Sequence, residues 1–310
     1  MGHWWLLTEI PIACAIDQSY VLPLAVMLES LKQHLRPEFR PILYLVHTGI
    51  SQASLSAISS LVETHSIIPS RAQLSMAPSA SHFPREASFP LLLSEVLPST
   101  LERVLFLDAD MLVLEDLANL WETPLDGHVL AAAPDSAVPL CSAPRGVKGW
   151  QTLGIPVNAP YFNCGVLMIH LSRWREREVT RRVHRYFETT RGRIDFLHQE
   201  ALNAVLWNDW KPLNPRWNLL GSRAGRSYDR GCAEVWRQAA IVHFAGRMKP
   251  WRAPIGGPFN APYQKALADV SPLIPRDASA LPDRFYSIYD RYFRAAFYPL
   301  EQYLWRRRLL

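Results

Sequence analysis

The stretch Arg103-Val104-Leu105-Phe106-Leu107-Asp108-Ala109-Asp110-Met111-Leu112-Val113 constrains this chain more than any other, because an apolar run suited to a buried strand is interrupted by two carboxylates. A buried strand has no packing reason to carry paired acids. On extended backbone Asp108 and Asp110 point the same way, and with Ala109 between them they form an oxygen clamp suited to Mg²⁺ or Mn²⁺, with a metal-bound diphosphate as its cargo. The plainer reading is two acids opening a turn.

A second apolar run, Ala240-Ile241-Val242-His243-Phe244, leads into Ala245-Gly246-Arg247-Met248-Lys249-Pro250-Trp251. His243 adds an imidazole to the two carboxylates, and a mixed set of this kind favours Mn²⁺ over Ca²⁺. Gly246 lets backbone come close to a phosphate, and Lys249 brings a point charge to it.

The chain has 310 residues, 49% hydrophobic and 20% charged, which is enough to bury a sizeable core. Ile10 to Ile16 reads as a strand, Leu22 to Leu35 has helical spacing, Ile42 to Val46 is a second strand, and Ser51 is placed to cap a helix running to about Thr64. This alternation predicts an α/β fold, a parallel sheet covered by helices, with ligands at the carboxyl ends of the strands. The loops after Ile16, Leu107 and Val242 then share one mouth. Farther on, Ser172 is expected to cap a charged helix reaching about Thr189, and Gln199 to Leu206 to form another. Ala77 to Pro84 and Ala133 to Pro160 read as loops. The second is long for a compact domain and reads either as an acceptor-binding lid or as a solvated excursion. No Gly-x-Gly-x-x-Gly follows the first strand, which speaks against a dinucleotide fold.

Cys14, Cys141, Cys164 and Cys232 make no zinc spacing, and thiols inside apolar runs act as small hydrophobes, favouring a reducing compartment. The amino terminus lacks a basic flank and is interrupted by Glu9 and Pro11, and no run reaches the ~20 apolar residues of a membrane span. The expectation is a cytoplasmic protein, with no nucleic-acid partner.

With these motifs in place, the sequence resembles glycosyltransferase family 8, the retaining nucleotide-sugar transferases that include glycogenin and bacterial lipooligosaccharide α-galactosyltransferases. The resemblance runs from about Ile10 to Trp251. Its elements fall in the family's order: Ala13-Cys14-Ala15-Ile16-Asp17-Gln18-Ser19-Tyr20, the Asp108/Asp110 run, Pro134-Asp135 and Tyr161-Phe162-Asn163-Cys164-Gly165. His198-Gln199-Glu200-Ala201-Leu202-Asn203, Pro215-Arg216-Trp217-Asn218 and the His243 to Trp251 run follow.

The resemblance implies a single Rossmann-like, nucleotide-sugar-binding catalytic domain of the glycosyltransferase A type over 8–258, an α/β fold with a mixed, mainly parallel sheet flanked by helices, and a helical, basic, aromatic tail over 259–310. It implies transfer of a hexose, glucose or galactose, from a UDP-sugar to a hydroxyl of a glycan or lipid-linked acceptor, as in lipopolysaccharide assembly, with Mn²⁺ or Mg²⁺ held by Asp108, Asp110 and His243. By the same resemblance Asp17 reads the uracil, Tyr20 stacks on it, Ala15 and Ala109 give backbone contacts, and Gly246 and Lys249 meet the diphosphate. Asp135, Asn163, His198 and Gln199 fall at donor-sugar positions, although Asn163 could equally bond its own strand-end backbone. His198 and Gln199 are the catalytic pair. Gln199 lies beneath the sugar, where an amide oxygen is a poor nucleophile, so front-face attack by the acceptor hydroxyl, with a donor phosphate oxygen taking its proton, is favoured over a covalent intermediate.

Two positions depart from the family. Pro90 stands where an arginine commonly touches the donor, and His198 where an aspartate precedes the glutamine. A non-catalytic or hydrolytic nucleotide-sugar-binding protein would carry the same motifs. A haloacid-dehalogenase-like phosphatase also ends an apolar strand in Asp-x-Asp, but it wants Thr or Val where this chain has Leu112. Between Arg276 and Leu310 seven arginines face four acids, +3 of the chain's formal +5, with aromatics interleaved. That pattern predicts either peripheral contact with an anionic membrane at its inner face or a helix packed back on the domain.

Overall fold

The computed structural model describes residues 7–76, 85–190, 197–221, 233–246, 249–253, 257–275 and 278. The expected loop at Ala77 to Pro84, Cys232 and, of the tail, residues 276–277 and 279–310 lie outside the described residues.

Strands β1 (Thr8–Ile16), β2 (Phe39–His47), β3 (Glu63–Ile67), β4 (Arg103–Leu107), β5 (Met111–Val113), β6 (Leu130–Pro134), β7 (Phe162–His170), β8 (Trp210–Pro212), β9 (Leu219–Leu220) and β10 (Ile241–His243) make two sheets. The larger has the order β3-β2-β1-β4-β7-β6-β8 and the smaller β5-β10-β9. β1 runs parallel to β2 and β4, β2 to β3, and β6 to β8, while β7 is antiparallel to β4 and β6. The expected fold class, a mixed and mainly parallel sheet with helices on it, is the one observed.

Alternation along the central strands sends residues to two cores. Ile10, Ile12, Cys14 and Ile16 of β1, with Leu105 and Leu107 of β4, pack into one cluster together with Val21 to Leu31 of α1 (Val21–His34). Ala13, Val104 and Phe106 face the other. Strands buried on both faces read as unbroken apolar runs, which is why β1 and β4 were evident from sequence.

Three expectations change. The helix capped by Ser51, α2 (Gln52–Leu61), stops at Leu61, and Glu63-Thr64-His65-Ser66-Ile67 forms β3. As an edge strand with half or more of its side chains in water, β3 has no apolar pattern to announce it. The charged helix is two, α3 (Leu171–Glu176) and α4 (Val179–Thr190), separated at Glu178, whose φ is +49°. Its cap is His170, whose side chain accepts from Arg173 N, and Ser172 lies inside the helix. Finally, the acidic run is not one extended strand. β4 belongs to the large sheet and β5 to the small one, and Asp108-Ala109-Asp110 is the bend between them.

The expected loop from Ala133 to Pro160 exposes much of its length to solvent but is anchored to the core. Val138, Cys141, Val147, Ile155 and Ala159 are buried, Leu140 pairs with Pro160, and Lys148 N donates to the fully buried Glu200 Oε1 (3.0 Å) on α5 (Leu197–Leu206). α6 (Asn260–Val270) packs on α1 beyond the expected boundary at 258, with Tyr263 edge-on to Phe244. Among the described residues no helix is long and apolar enough to cross a membrane.

Candidate active site

Backbone bonds pin the bend at Asp108 to Asp110 on both flanks, and a third pins the far end of β5. Asp108 N donates to Gly165 O (2.9 Å), Phe244 N to Asp110 O (2.9 Å), and Leu114 N to Ala240 O (2.8 Å). Each bond joins a different strand end, so the two carboxylates sit at the seam of the two sheets. β10, paired antiparallel with β5, carries His243 to the same place, opposite Met111. His243 Nε2 lies 3.5 Å from Asp108 Oδ2 and 3.3 Å from Asp110 Oδ1. One ligand atom from each of the three residues lies within 4.8 Å of the other two. Two hard oxygens and one imidazole nitrogen in that space fit a divalent cation such as Mn²⁺ or Mg²⁺.

Lys249 closes the cluster. Its Nζ pairs with Asp110 Oδ2 and donates to Phe244 O (2.9 Å), while lying 5.4 Å from the Trp251 ring centre and 5.9 Å from that of Tyr20. Tyr20 arrives there because Asp17 turns the chain at the end of β1, its Oδ1 accepting from Ser19 N (2.8 Å) and Ser19 Oγ (2.6 Å). The three loops expected at one mouth therefore do meet. Gly246 has φ +88°, a left-handed backbone that glycine alone takes without strain. Ala109 is buried and Ala15 half-buried.

Charge in this corner balances internally. Burial pushes the Asp108 carboxyl up to about 6, with His243 drawing it back. Burial acts the same way on Asp110, but Lys249 and then His243 outweigh it and hold that carboxyl well below the usual range. For His243 and Lys249 burial would favour the neutral forms, and Asp110 overrides it in both, raising them above their ordinary values.

Beside the charged corner lies a chain of amides. Gln199, on α5, donates from Nε2 to Asp135 Oδ2 (3.0 Å) and accepts at Oε1 from Cys164 N (3.0 Å). One turn on, Asn203 accepts from Phe162 N (2.8 Å) and donates to Phe162 O (2.9 Å), so two amides fasten α5 to β7. Asn163 donates to Asp135 Oδ2 (2.9 Å), and its Oδ1 accepts from Gly165 N (2.9 Å) and Asn218 Nδ2 (2.8 Å). Asp135 Oδ1 accepts from Ala137 N (2.6 Å) and Val138 N (2.9 Å). All four acceptor sites of that carboxylate are therefore used. Asn163 bonds its own strand through Gly165 N, the backbone role open to it in the sequence. His198 lies half-buried on α5 next to Gln199. Pro90 is buried in a 3₁₀ turn. A surface groove of about 650 Å³ between Ser94, Trp174 and His184 includes none of these residues.

Three residues had no role in the sequence reading. Gly165 is one, since a Cβ there would stand 2.4 Å from His243 Cε1 and 2.5 Å from Nδ1. The signal available was a glycine inside an apolar strand, which marks close approach of another group. Asn203 and Asn218 gave only an amide in an otherwise apolar setting.

Known proteins resemble this chain in sequence and in fold. General stress protein A of Bacillus subtilis (strain 168) is 26% identical over 275 residues, 81% of this chain and 90% of its own length. Probable galacturonosyltransferase-like 3 of Arabidopsis thaliana is 30% identical over 167 residues, 51% of this chain and 48% of its own, so the chain spans about half of that relative. Among solved structures, the galactosyltransferase LgtC in complex with donor and acceptor sugar analogues superposes with a TM-score of 0.71 at 22% identity, covering 86% of this chain and 98% of that one. The bifunctional glycosyltransferase WbbM gives 0.71 at 16% identity over 88% of this chain and 53% of its own. At these identities the likeness is one of fold, the glycosyltransferase A architecture. The sequence profile of glycosyl transferase family 8 matches residues 11–254, a span holding both sheets, the Asp108/Asp110/His243 cluster and the amide chain, and the chain belongs to that family.

Proposed function

We propose that this chain is a metal-dependent, retaining hexosyltransferase that moves glucose or galactose from a UDP-sugar to a hydroxyl of a glycan or lipid-linked acceptor. The observation that carries the reading is the convergence of Asp108, Asp110 and His243 at the strand ends, with Lys249 on one side and Gln199 on the other. Asp108, Asp110 and His243 would hold Mn²⁺ or Mg²⁺. When bound, the ion supplies positive charge to the departing diphosphate. Lys249 would exchange Asp110 for a phosphate oxygen, Tyr20 and Asp17 would take the uracil, Ala15, Ala109 and the Gly246 turn would line the nucleotide, and His198 would meet a sugar hydroxyl.

The reaction breaks the bond between the anomeric carbon and the diphosphate oxygen and forms one from that carbon to the acceptor oxygen, whose proton passes to a phosphate oxygen of the donor. A double displacement would need a carboxylate nucleophile. Asp135, the acid bonded to Gln199, has its four acceptor sites filled by Ala137, Val138, Asn163 and Gln199, which favours the front-face route. Gln199 Oε1 spends one lone pair on Cys164 N, and the other would face positive charge at the sugar ring. The domain limits 8–258 and 259–310, and a peripheral membrane role for the tail, remain part of this proposal.

The test is a screen of UDP-glucose, UDP-galactose and UDP-galacturonic acid against glycan and glycolipid acceptors, with and without EDTA. The expected outcome is UDP release matched by product of retained configuration, abolished by EDTA and restored best by Mn²⁺. UDP release without transfer would make the chain a hydrolase, and neither event, with binding kept, a nucleotide-sugar-binding protein.

A further inference from the structure

We infer that Asn218 is a positioning residue that fixes the tautomer and aim of His243, and that its own orientation is dictated by a backbone N–H. The inference rests on the reading of Asp108, Asp110 and His243 as a cation site. It starts from Gly165 N, a donor that cannot be turned around, which points at Asn163 Oδ1 (2.9 Å). That contact forces the carboxamide of Asn163 to present its oxygen on this side and its nitrogen to Asp135 Oδ2 (2.9 Å). Asn218 meets Asn163 at the same oxygen (2.8 Å), so Asn218 must offer nitrogen there, and its oxygen is what remains for His243 Nδ1 (3.0 Å). An oxygen opposite Nδ1 requires a hydrogen on Nδ1. Nε2 is then the nitrogen with a lone pair to give, and it is the one 3.3 and 3.5 Å from the two carboxylates.

The chain of bonds is buried throughout. Asn163, Asn218 and His243 are each under a tenth exposed, so water cannot substitute for a missing partner without opening the core. Gly165 serves twice, through its N–H and through the absent Cβ that would collide with the imidazole. Metal-bound histidines ordinarily donate their second nitrogen to a fixed acceptor, and here the acceptor is an amide whose direction is fixed two bonds away by β7.

The experiment is a Mn²⁺ titration of the full chain followed by electron paramagnetic resonance, with Asp108→Ala as the reference for the site. Asn218→Leu removes the acceptor and should weaken Mn²⁺ about 10- to 100-fold. Asn218→Asp keeps an oxygen for Nδ1–H, so its Mn²⁺ affinity should stay within fivefold of wild type, whereas its new oxygen opposite Asn163 should raise KM for the UDP-sugar. A weakening beyond fivefold in Asn218→Asp overturns the inference, as does Asn218→Leu binding within fivefold. Should the Leu variant not fold, the Asp variant decides by the same threshold. If Asp108→Ala itself leaves Mn²⁺ binding unchanged, the cation site is wrong and not merely the role of Asn218.

Discussion

The two halves of the site are held in opposite ways. In the charged corner Asp108, Asp110, His243 and Lys249 balance one another without directional closure: His243 Nε2 stands between two carboxylates at 3.3 and 3.5 Å, and Lys249 divides itself between Asp110 and a carbonyl. In the amide corner Gln199, Asn163 and Asn218 each make bonds of 2.8–3.0 Å that leave one orientation, and Asp135 has no acceptor site to spare. Charges balanced loosely can trade partners when a cation and a diphosphate arrive. Amides locked in series cannot turn without leaving a buried polar group unpaired, at about 1–3 kcal/mol each. The first corner is built for exchange and the second for aim.

The strongest way to break this contrast is to remove a charge from the exchanging corner. Asp110→Ala leaves Lys249 without its carboxylate and a cation with one ligand fewer, and transfer should fall by about 10³-fold or more, with Mn²⁺ no longer restoring it after EDTA. Full turnover of this variant in chelator would exclude the assignment. Cation binding should also fade as pH drops through about 6. Ligands bind metal only when deprotonated: His243, held above its ordinary value, takes up a proton first, and Asp108, raised to about 6, follows. A titration of Mn²⁺ affinity against pH checks the sign, since a rise on acidification would contradict it.

Gly165→Ala strikes the hinge of both corners. The new methyl would overlap the His243 ring, and with Met111 Cε 2.9 Å away on the same side, either β7 or the imidazole must give way. Overpacking of a buried site costs about 1–3 kcal/mol, and an ångström of misplacement costs about 10²-fold in rate. A drop of that order in kcat/KM, with a lowered Tm, is expected. An unchanged Tm with unchanged activity would mean that the ring has room that the structure denies it.

These residues also mark where the sequence stopped being informative. The β1, α1 and β2 unit was legible because nearly every inward position is apolar and the period is visible over nine or more residues. The Asp108/Asp110 pair was legible as chemistry but not as geometry, because nothing local to an apolar run says that β4 and β5 will join different sheets. β3 was hidden by its exposed edge position. Asn163 and Asn218 are 55 residues apart, and a hydrogen bond between two amides has no periodicity to betray it, so the amide corner existed only once β7 and the turn before β9 were in place.

Asp135→Asn tests the aiming corner alone. A carboxamide nitrogen must face either the Ala137 and Val138 N–H pair or the two side-chain amides, donor against donor in both cases. Gln199 loses its anchor, and kcat should fall about 10- to 100-fold, the size of one lost charge-assisted bond. Mn²⁺ affinity should stay within about twofold, because Asp135 reaches the cation site only through Asn163 and Asn218. Equal losses in kcat and in Mn²⁺ affinity would show that the two corners are one coupled network.

The mildest test lies at the rim. His198 is half-buried beside Gln199, at a position where the family resemblance implies an aspartate, and an imidazole and a carboxylate grip sugar hydroxyls differently: the carboxylate only accepts, while neutral imidazole has one donor and one acceptor. A single hydrogen bond to a charged group differs from its neutral counterpart by about 1 kcal/mol, which corresponds to about fivefold in a rate ratio. His198→Asp should therefore shift the ratio of UDP-glucose to UDP-galactose use by about three- to tenfold, while kcat with the better donor changes less than that. Gln199 and Asn203 fasten α5 to β7, so the fold and Mn²⁺ affinity should be largely kept. Donor ratios that match wild type in a side-by-side assay would move His198 off the sugar and leave donor choice to the buried amides alone.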